Sequence, residues 1–382
     1  MTALLVRDVL LVAFAIVFIL FLTSVFGQEN SSMAVIIFCI LLSIRFVSFG
    51  YKAKHSVINL AAVFGILTVS PVYAQHLGPL AGFAVHFISL SLILVITCEY
   101  PEMGNGGLYL FGYIFLAGNP VEGSALAGRA MMALVGFGLC GALLFFRHRK
   151  KHKNVSFLHV VGRMSIYDPK CQWQLRLALG LSLLFLLNRA LNLNRFMWAG
   201  FACSSLLSSY PVNLRGRLAE RAGGIVLGSL LFAAVYRHIP ESFLFMVGPA
   251  AGLCLGICSS YFAKTFLNCF GALLMAAGTY GLSAAVSVRI VNNLLGIAFG
   301  LLFFKVYEKA VRAVCALLER LKKREADSMQ RENQGPAGRP GKKLSSLPPP
   351  FCQNSDDLEQ PYDGRRSLSS PVRSEKGLDG IW

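Results

Sequence analysis

Acidic residues are scarce in this chain: 19 Asp and Glu stand against 36 Lys and Arg, and all charged residues together make up only 14% of 382 positions. A water-soluble domain of this length needs a charged surface, and one with 55% hydrophobic residues and a mean hydropathy of +0.59 has nowhere in water to put its apolar area. The chain therefore reads as all-α and polytopic, crossing a bilayer many times. The ten cysteines are scattered and lack paired ligand spacing, so neither a disulfide framework nor a zinc site is expected; Cys254 and Cys258 share a helix face but bring no third ligand. No intramembrane His/Asp/Glu cluster, no Ser or Cys with a base in reach and no paired carboxylates have usable spacing. Catalysis, metals and cofactors are accordingly not expected.

What is present is a duplication. Leu143-Leu144-Phe145-Phe146-Arg147 closes one apolar block and Leu301-Leu302-Phe303-Phe304-Lys305 closes another. Behind that match Arg129, Gly136 and Gly141 pair with Arg289, Gly296 and Gly300, and Gly65 and Val72-Tyr73 pair with Gly228 and Val235-Tyr236, always near a separation of 160 residues.

At ~20 residues per crossing, apolar runs fall near 9–27, 33–51, 57–73, 77–97, 108–117 and 125–146, and again near 173–191, 197–212, 222–236, 243–261, 265–280 and 284–307. That is about 12 spans, with the fifth and eleventh short and glycine-rich, as broken or re-entrant segments would be. The chain divides into a first six-span repeat (1–148), a basic cytoplasmic linker (149–172), a second six-span repeat (173–307), an amphipathic juxtamembrane helix (308–326) and a disordered cytoplasmic tail (327–382) rich in Pro and Ser. The first span lacks a cleavage site and reads as retained.

Basic residues set the orientation. Lys52 and Lys54, Arg147 to Lys153, Arg215, Arg217 and Arg221, and Lys305, Lys309 and Arg312 all lie in alternate loops, which places both termini in the cytoplasm of a cell inner-membrane protein. Arg195 and Arg237 break the pattern. An even number of spans per repeat gives two tandem halves in parallel orientation, related by an axis along the membrane normal, with a shared interface as the natural pathway. The net charge of +17 resides in inner-face loops and the tail, so anionic lipid headgroups are its expected partner and nucleic acid is not.

Charges inside the lipid zone are costly unless paired, hydrated or used. The candidates are Arg45, His86, Arg129, Arg176, Arg189 and Arg289, five arginines with carboxylates nearly absent at that depth. Guanidinium groups hold carboxylate oxygens in pairs and stay charged, which points to an organic anion as cargo. The substrate-binding expectation rests on Arg129 and Arg289, equivalent in the repeat and set toward the outer end, with Asn292 and Arg45; each could instead snorkel or bond a carbonyl. Asn59, Asn292 and Asn293 could also serve helix packing. His86 is the expected proton carrier, against the commoner fate of a singly bonded buried histidine.

One stretch carries a family likeness: Phe196-Met197-Trp198-Ala199-Gly200, Tyr210-Pro211, Arg217, and Glu220-Arg221-Ala222-Gly223-Gly224-Ile225-Val226-Leu227-Gly228. A tryptophan opens a span, a proline closes it, and an arginine precedes a glycine-spaced helix. This resembles the membrane module of the fusaric acid resistance and aromatic acid exporter family. The first half is similar in pattern but has Met33 for the tryptophan and Lys54, His55 and Gly65 for the arginine-glycine run. The resemblance implies efflux of aromatic carboxylic acids and a kinship with plant malate channels, in which six-span subunits pair around an anion pore; a homodimer is the corresponding partner expectation. The family's sizeable cytoplasmic domain has no counterpart here. Residues 216–223 also resemble the loop signature of major facilitator transporters, an alternative that the matching loop 50–58 does not share. A third alternative is a non-transporting membrane scaffold.

Overall fold

The structure, a computed structural model, describes residues 2–165, 167–208 and 214–333. Among them no strand occurs. The first apolar block folds as α1 (Thr2–Phe26), α2 (Ser31–Ile44), α3 (Ala53–His76), α4 (Pro79–Thr97), α5 (Asn105–Ala117) and α6 (Gly123–His148). A short α7 (Phe157–Gly162) lies in the basic linker. Then come α8 (Pro169–Leu191), α9 (Met197–Leu207), α10 (Leu214–His238), α11 (Leu244–Ile257), α12 (Tyr261–Tyr280) and α13 (Leu282–Asn333).

Local chemistry marks the ends. Gly27 and Gly281, at φ 96° and 78°, end α1 and α12 where a side chain would be strained. Pro79 and Pro169 open α4 and α8 at positions whose missing N–H has no helical partner to lose. Asp168 accepts from the Lys170 N–H at 3.0 Å and Ser260 from the Ala263 N–H at 3.2 Å, capping α8 and α12.

Eight helices, α1, α3, α4, α6, α8, α10, α12 and α13, are long and apolar enough to cross a membrane, and α2, α5, α9 and α11 are shorter apolar helices. The protein is a multi-pass membrane protein. The expected short segments were the fifth and eleventh. The fifth is short, but the eleventh is not: the Ser260 cap starts α12 at Tyr261, four residues before the apolar run. Brevity falls instead on α2, α9 and α11 as well. At about 1.5 Å per residue, the 11-residue α9 rises only ~16 Å of a ~30 Å hydrocarbon core. The chain leaves helix at Cys258, which splits the expected tenth span and removes the shared face of Cys254 and Cys258.

The chain divides at Phe303. In the first unit, two equivalent glycines mark equivalent contacts. A Cβ on Gly136 of α6 would stand 2.6 Å from Ile37 of α2, and one on Gly296 of α13 would run into the backbone of Ala199 on α9. Gly65 and Gly228 do not behave alike: Gly65 faces open space, while a Cβ on Gly228 would meet the Phe266 carbonyl at 2.5 Å.

From Phe304 the second unit consists, among the described residues, of the remainder of α13. The expected separate helix 308–326 is a continuation of α13, and helix persists to Asn333, past the expected start of a disordered tail at 327. The reason lies in composition: residues 301–333 contain no Gly or Pro and are rich in Leu, Ala, Lys, Arg and Glu. The rest of that tail, 334–382, lies outside the described residues.

Candidate functional site

The two apolar blocks meet where α4 packs on α8, α5 on α9 and α1 on α11, and the first two pairs form one seam. At one end of this seam Lys170 Nζ lies 2.8 Å from Glu99 Oε2, and Gln174 Nε2 donates to the Leu94 and Cys98 carbonyls at 3.2 and 3.1 Å. In the middle the Phe111 and Phe201 rings stack at 5.0 Å, and Gly200 lets Ile114 approach its backbone. At the other end, assigned as outer by the loop charges, Arg189 Nη1 donates to the carbonyls of Ala74 and Gln75 at 2.9 and 3.2 Å.

That outer-assigned end holds a cavity of about 240 Å³. Arg189, Arg195, Asn188 and Gln75 supply its polar wall, and His86, Phe185 and Phe196 supply rings. None of its lining residues is a carboxylate. His86 is buried, its Nδ1 is 2.8 Å from the Tyr113 hydroxyl, and its ring lies flat on Phe185 with centroids 4.1 Å apart. An adjoining cleft of about 590 Å³ shares Gly118 and Arg195 with the cavity and is bordered by Glu29, Glu122 and Tyr280.

Arg195 connects the two spaces. Its backbone has φ 54°, a region that costs a non-glycine residue energy, and its guanidinium carbon sits 5.3 Å from the centre of the Tyr280 ring. Its Nε is buried without a hydrogen-bond partner among the described residues. An arginine on the outer-assigned side is an exception to the loop-charge rule, and that exception was the sequence signal for this site. Arg189 is one of the five arginines that the sequence places in the lipid zone.

Among the described residues, the expected pair, Arg129 and Arg289, is held by different partners. Arg129 is fully buried; it donates to Asn30 Oδ1 at 3.2 Å, Ser32 Oγ at 3.3 Å and the carbonyls of Asn119 and Glu29 at 2.9 and 3.5 Å. It ties α6 to the α1–α2 and α5–α6 links. Arg289 is 7% exposed, lies 5.1 Å from the centre of the Trp198 ring, and donates to the Asn268 carbonyl at 3.4 Å and to the Cys269 thiol.

Asn292 donates to the carbonyls of Asn194 and Arg195 at 2.6 and 3.2 Å, fixing the α8–α9 link beside the cavity. Asn293 bonds its own helix at Arg289, and Asn59 donates to the Tyr51 hydroxyl at 2.8 Å. Arg45 is not within a span: α2 stops at Ile44, and Arg45 is exposed, its carbonyl accepting from Arg147 Nε at 3.3 Å. Arg176 donates to the Leu207 carbonyl at 3.0 Å, linking α8 to the end of α9.

Among the described residues no three His, Cys, Asp or Glu come together as metal ligands. Neither a curated protein nor a solved structure matches the chain. Residues 181–303, from the middle of α8 to Phe303 of α13, match the family model described as fusaric acid resistance protein-like, and they include the Trp198-to-Gly228 stretch quoted above. The likeness of the chain to fusaric acid resistance protein-like membrane proteins thus lies in its second apolar block.

Proposed function

We propose that this protein is an exporter or channel for organic anions, aromatic carboxylates foremost, working across an inner membrane through the seam between two parallel six-helix halves. The observation that carries the reading is the seam cavity, where the guanidiniums of Arg189 and Arg195 face a space without a lining carboxylate. Arg189 commits one nitrogen to the carbonyls of α3 and keeps the rest of its fork for a ligand. The rings of Phe185, Phe196 and His86 offer an aryl group a stacking wall beside the charges. The cargo is thus a carboxylate borne on a ring.

His86 is the proton carrier in this reading, since it borders the cavity and is hydrogen-bonded to Tyr113. Basic loops hold the opposite face on anionic headgroups. The match over residues 181–303 favours this reading over a major facilitator and over a scaffold. The test is uptake of labelled benzoate by liposomes containing the full chain. Arg189→Gln combined with Arg195→Gln lowers flux on the order of 10-fold, the worth of about one charge-assisted hydrogen bond, while reconstitution yield stays level. Unchanged flux in the double variant removes the seam from the mechanism.

A further inference from the structure

The second apolar block holds three more arginines that pair with no carboxylate among the described residues. Arg221 of α10 donates from Nη1 to the Tyr261 hydroxyl at 2.9 Å, and Arg217 stands 5.4 Å from the centre of the same ring. Ser205 of α9 also hydrogen-bonds that hydroxyl. Arg289 of α13 lies over Trp198 with Cys269 beside it, and Arg221 is near enough to repel it. None of the three forms an ion pair with a described carboxylate.

Like charges brought together under burial are unfavourable unless something between them compensates. A guanidinium carries five donors. Arg129 places its donors on four fixed acceptors, whereas Arg289, 93% buried, has one long carbonyl bond, a weak thiol acceptor in Cys269 and an Nε without a partner among the described residues. Arg221 Nε is likewise buried without a partner. Two repeat-equivalent arginines therefore differ in kind: four oxygen acceptors of its own chain hold one, while a distant carbonyl, a thiol and an indole face hold the other.

Arg221 follows the start of α10 by seven residues and Arg289 the start of α13 by seven, so each lies ~10 Å along its helix. The first turn of α9 separates this region from the seam cavity: Phe196 lines the cavity, and Trp198 meets Arg289.

We infer that α9, α10, α12 and α13 enclose a second anion site, in which Arg289 and Arg221 hold the carboxylate of a small organic acid between them. The inference rests on the organic-anion reading above and locates a second station for the same cargo. Trp198 under Arg289 supplies the optical report.

The experiment titrates benzoate into the purified full chain in micelles and follows tryptophan emission, with equilibrium dialysis of labelled benzoate in parallel. The expected result is a saturable emission change that Trp198→Phe abolishes while dialysis binding persists. Arg289→Gln and Arg221→Gln each weaken that binding on the order of 10-fold, and Arg289→Lys recovers part of it. If Arg289→Gln does not fold, Arg221→Gln reads the same site. Binding unchanged in Arg221→Gln, no saturable emission change, or a change produced by phosphatidylglycerol and not by benzoate overturns the inference. Arg195→Gln separates the two readings: it lowers flux through the seam and leaves the Trp198 signal in place. A wild-type protein with the signal but no flux sinks the transport reading alone.

Discussion

His86 and Phe185 lie face to face across the seam, ring centroids 4.1 Å apart and planes 14° from parallel, one from each apolar block. The stack fixes the imidazole edge toward Tyr113, whose hydroxyl is 2.8 Å from Nδ1. A proton on His86 would therefore be shared with a phenol inside the seam and presented to the cavity that Arg189 and Arg195 line.

His86→Gln retains a hydrogen-bonding group for Tyr113 and removes the titratable one. With His86 as proton carrier, liposomes containing this variant lose the acceleration of benzoate flux by an imposed pH gradient and keep exchange at equal pH. Gradient-driven flux equal to wild type would assign His86 to packing.

Arg129 acts as a brace. Replacing it by Gln leaves Asn30, Ser32 and the Asn119 carbonyl without their buried donor, at a cost of about 1–3 kcal/mol for each group left unsatisfied. Arg129→Gln should lower the melting temperature in detergent, read by size-exclusion fluorescence, without changing anion selectivity in whatever fraction folds. Altered selectivity at unchanged stability would contradict that role.

Gly136 and Gly296 occupy equivalent places but face different material. A methyl on Gly136 meets the end of the Ile37 side chain, which can rotate away, whereas one on Gly296 meets the Ala199 backbone, which cannot. Gly296→Ala should thus destabilise by about 1–3 kcal/mol, the range for overpacking, and Gly136→Ala by less. Comparable thermal shifts in the two variants would show that both helix pairs yield equally.

Lys170 and Glu99 join α8 to the end of α4, with side chains 16% and 20% exposed. Glu99→Lys places two cations at that contact and should weaken the seam, measured as faster proteolysis of the 149–168 linker. Adding Lys170→Glu restores the opposite-charge pair and should reverse most of the effect. No recovery in the double variant would make the pair incidental.

The sequence by itself determined that the chain is helical and lives in lipid, because apolar runs of about 20 residues, broken by Gly and Pro, leave the backbone no other way to satisfy its hydrogen bonds. It also located the module around Trp198, and it marked Arg195 as misplaced, since positive charge on the outer-assigned side conflicts with the loop pattern. It could not say which of two equivalent arginines is spent. Arg129 and Arg289 read alike as residues in a repeat, and only the packing of α1 to α6 brings Asn30, Ser32 and Asn119 around the first, while α9 and α12 give the second an indole face, a thiol and one distant carbonyl. Helix length was decided at the same level, by caps such as Ser260 and breaks such as Cys258 rather than by apolar content. Periodicity records which residues must avoid water; which donors remain unsatisfied depends on acceptors far away in the chain, and those meet only when the helices pack.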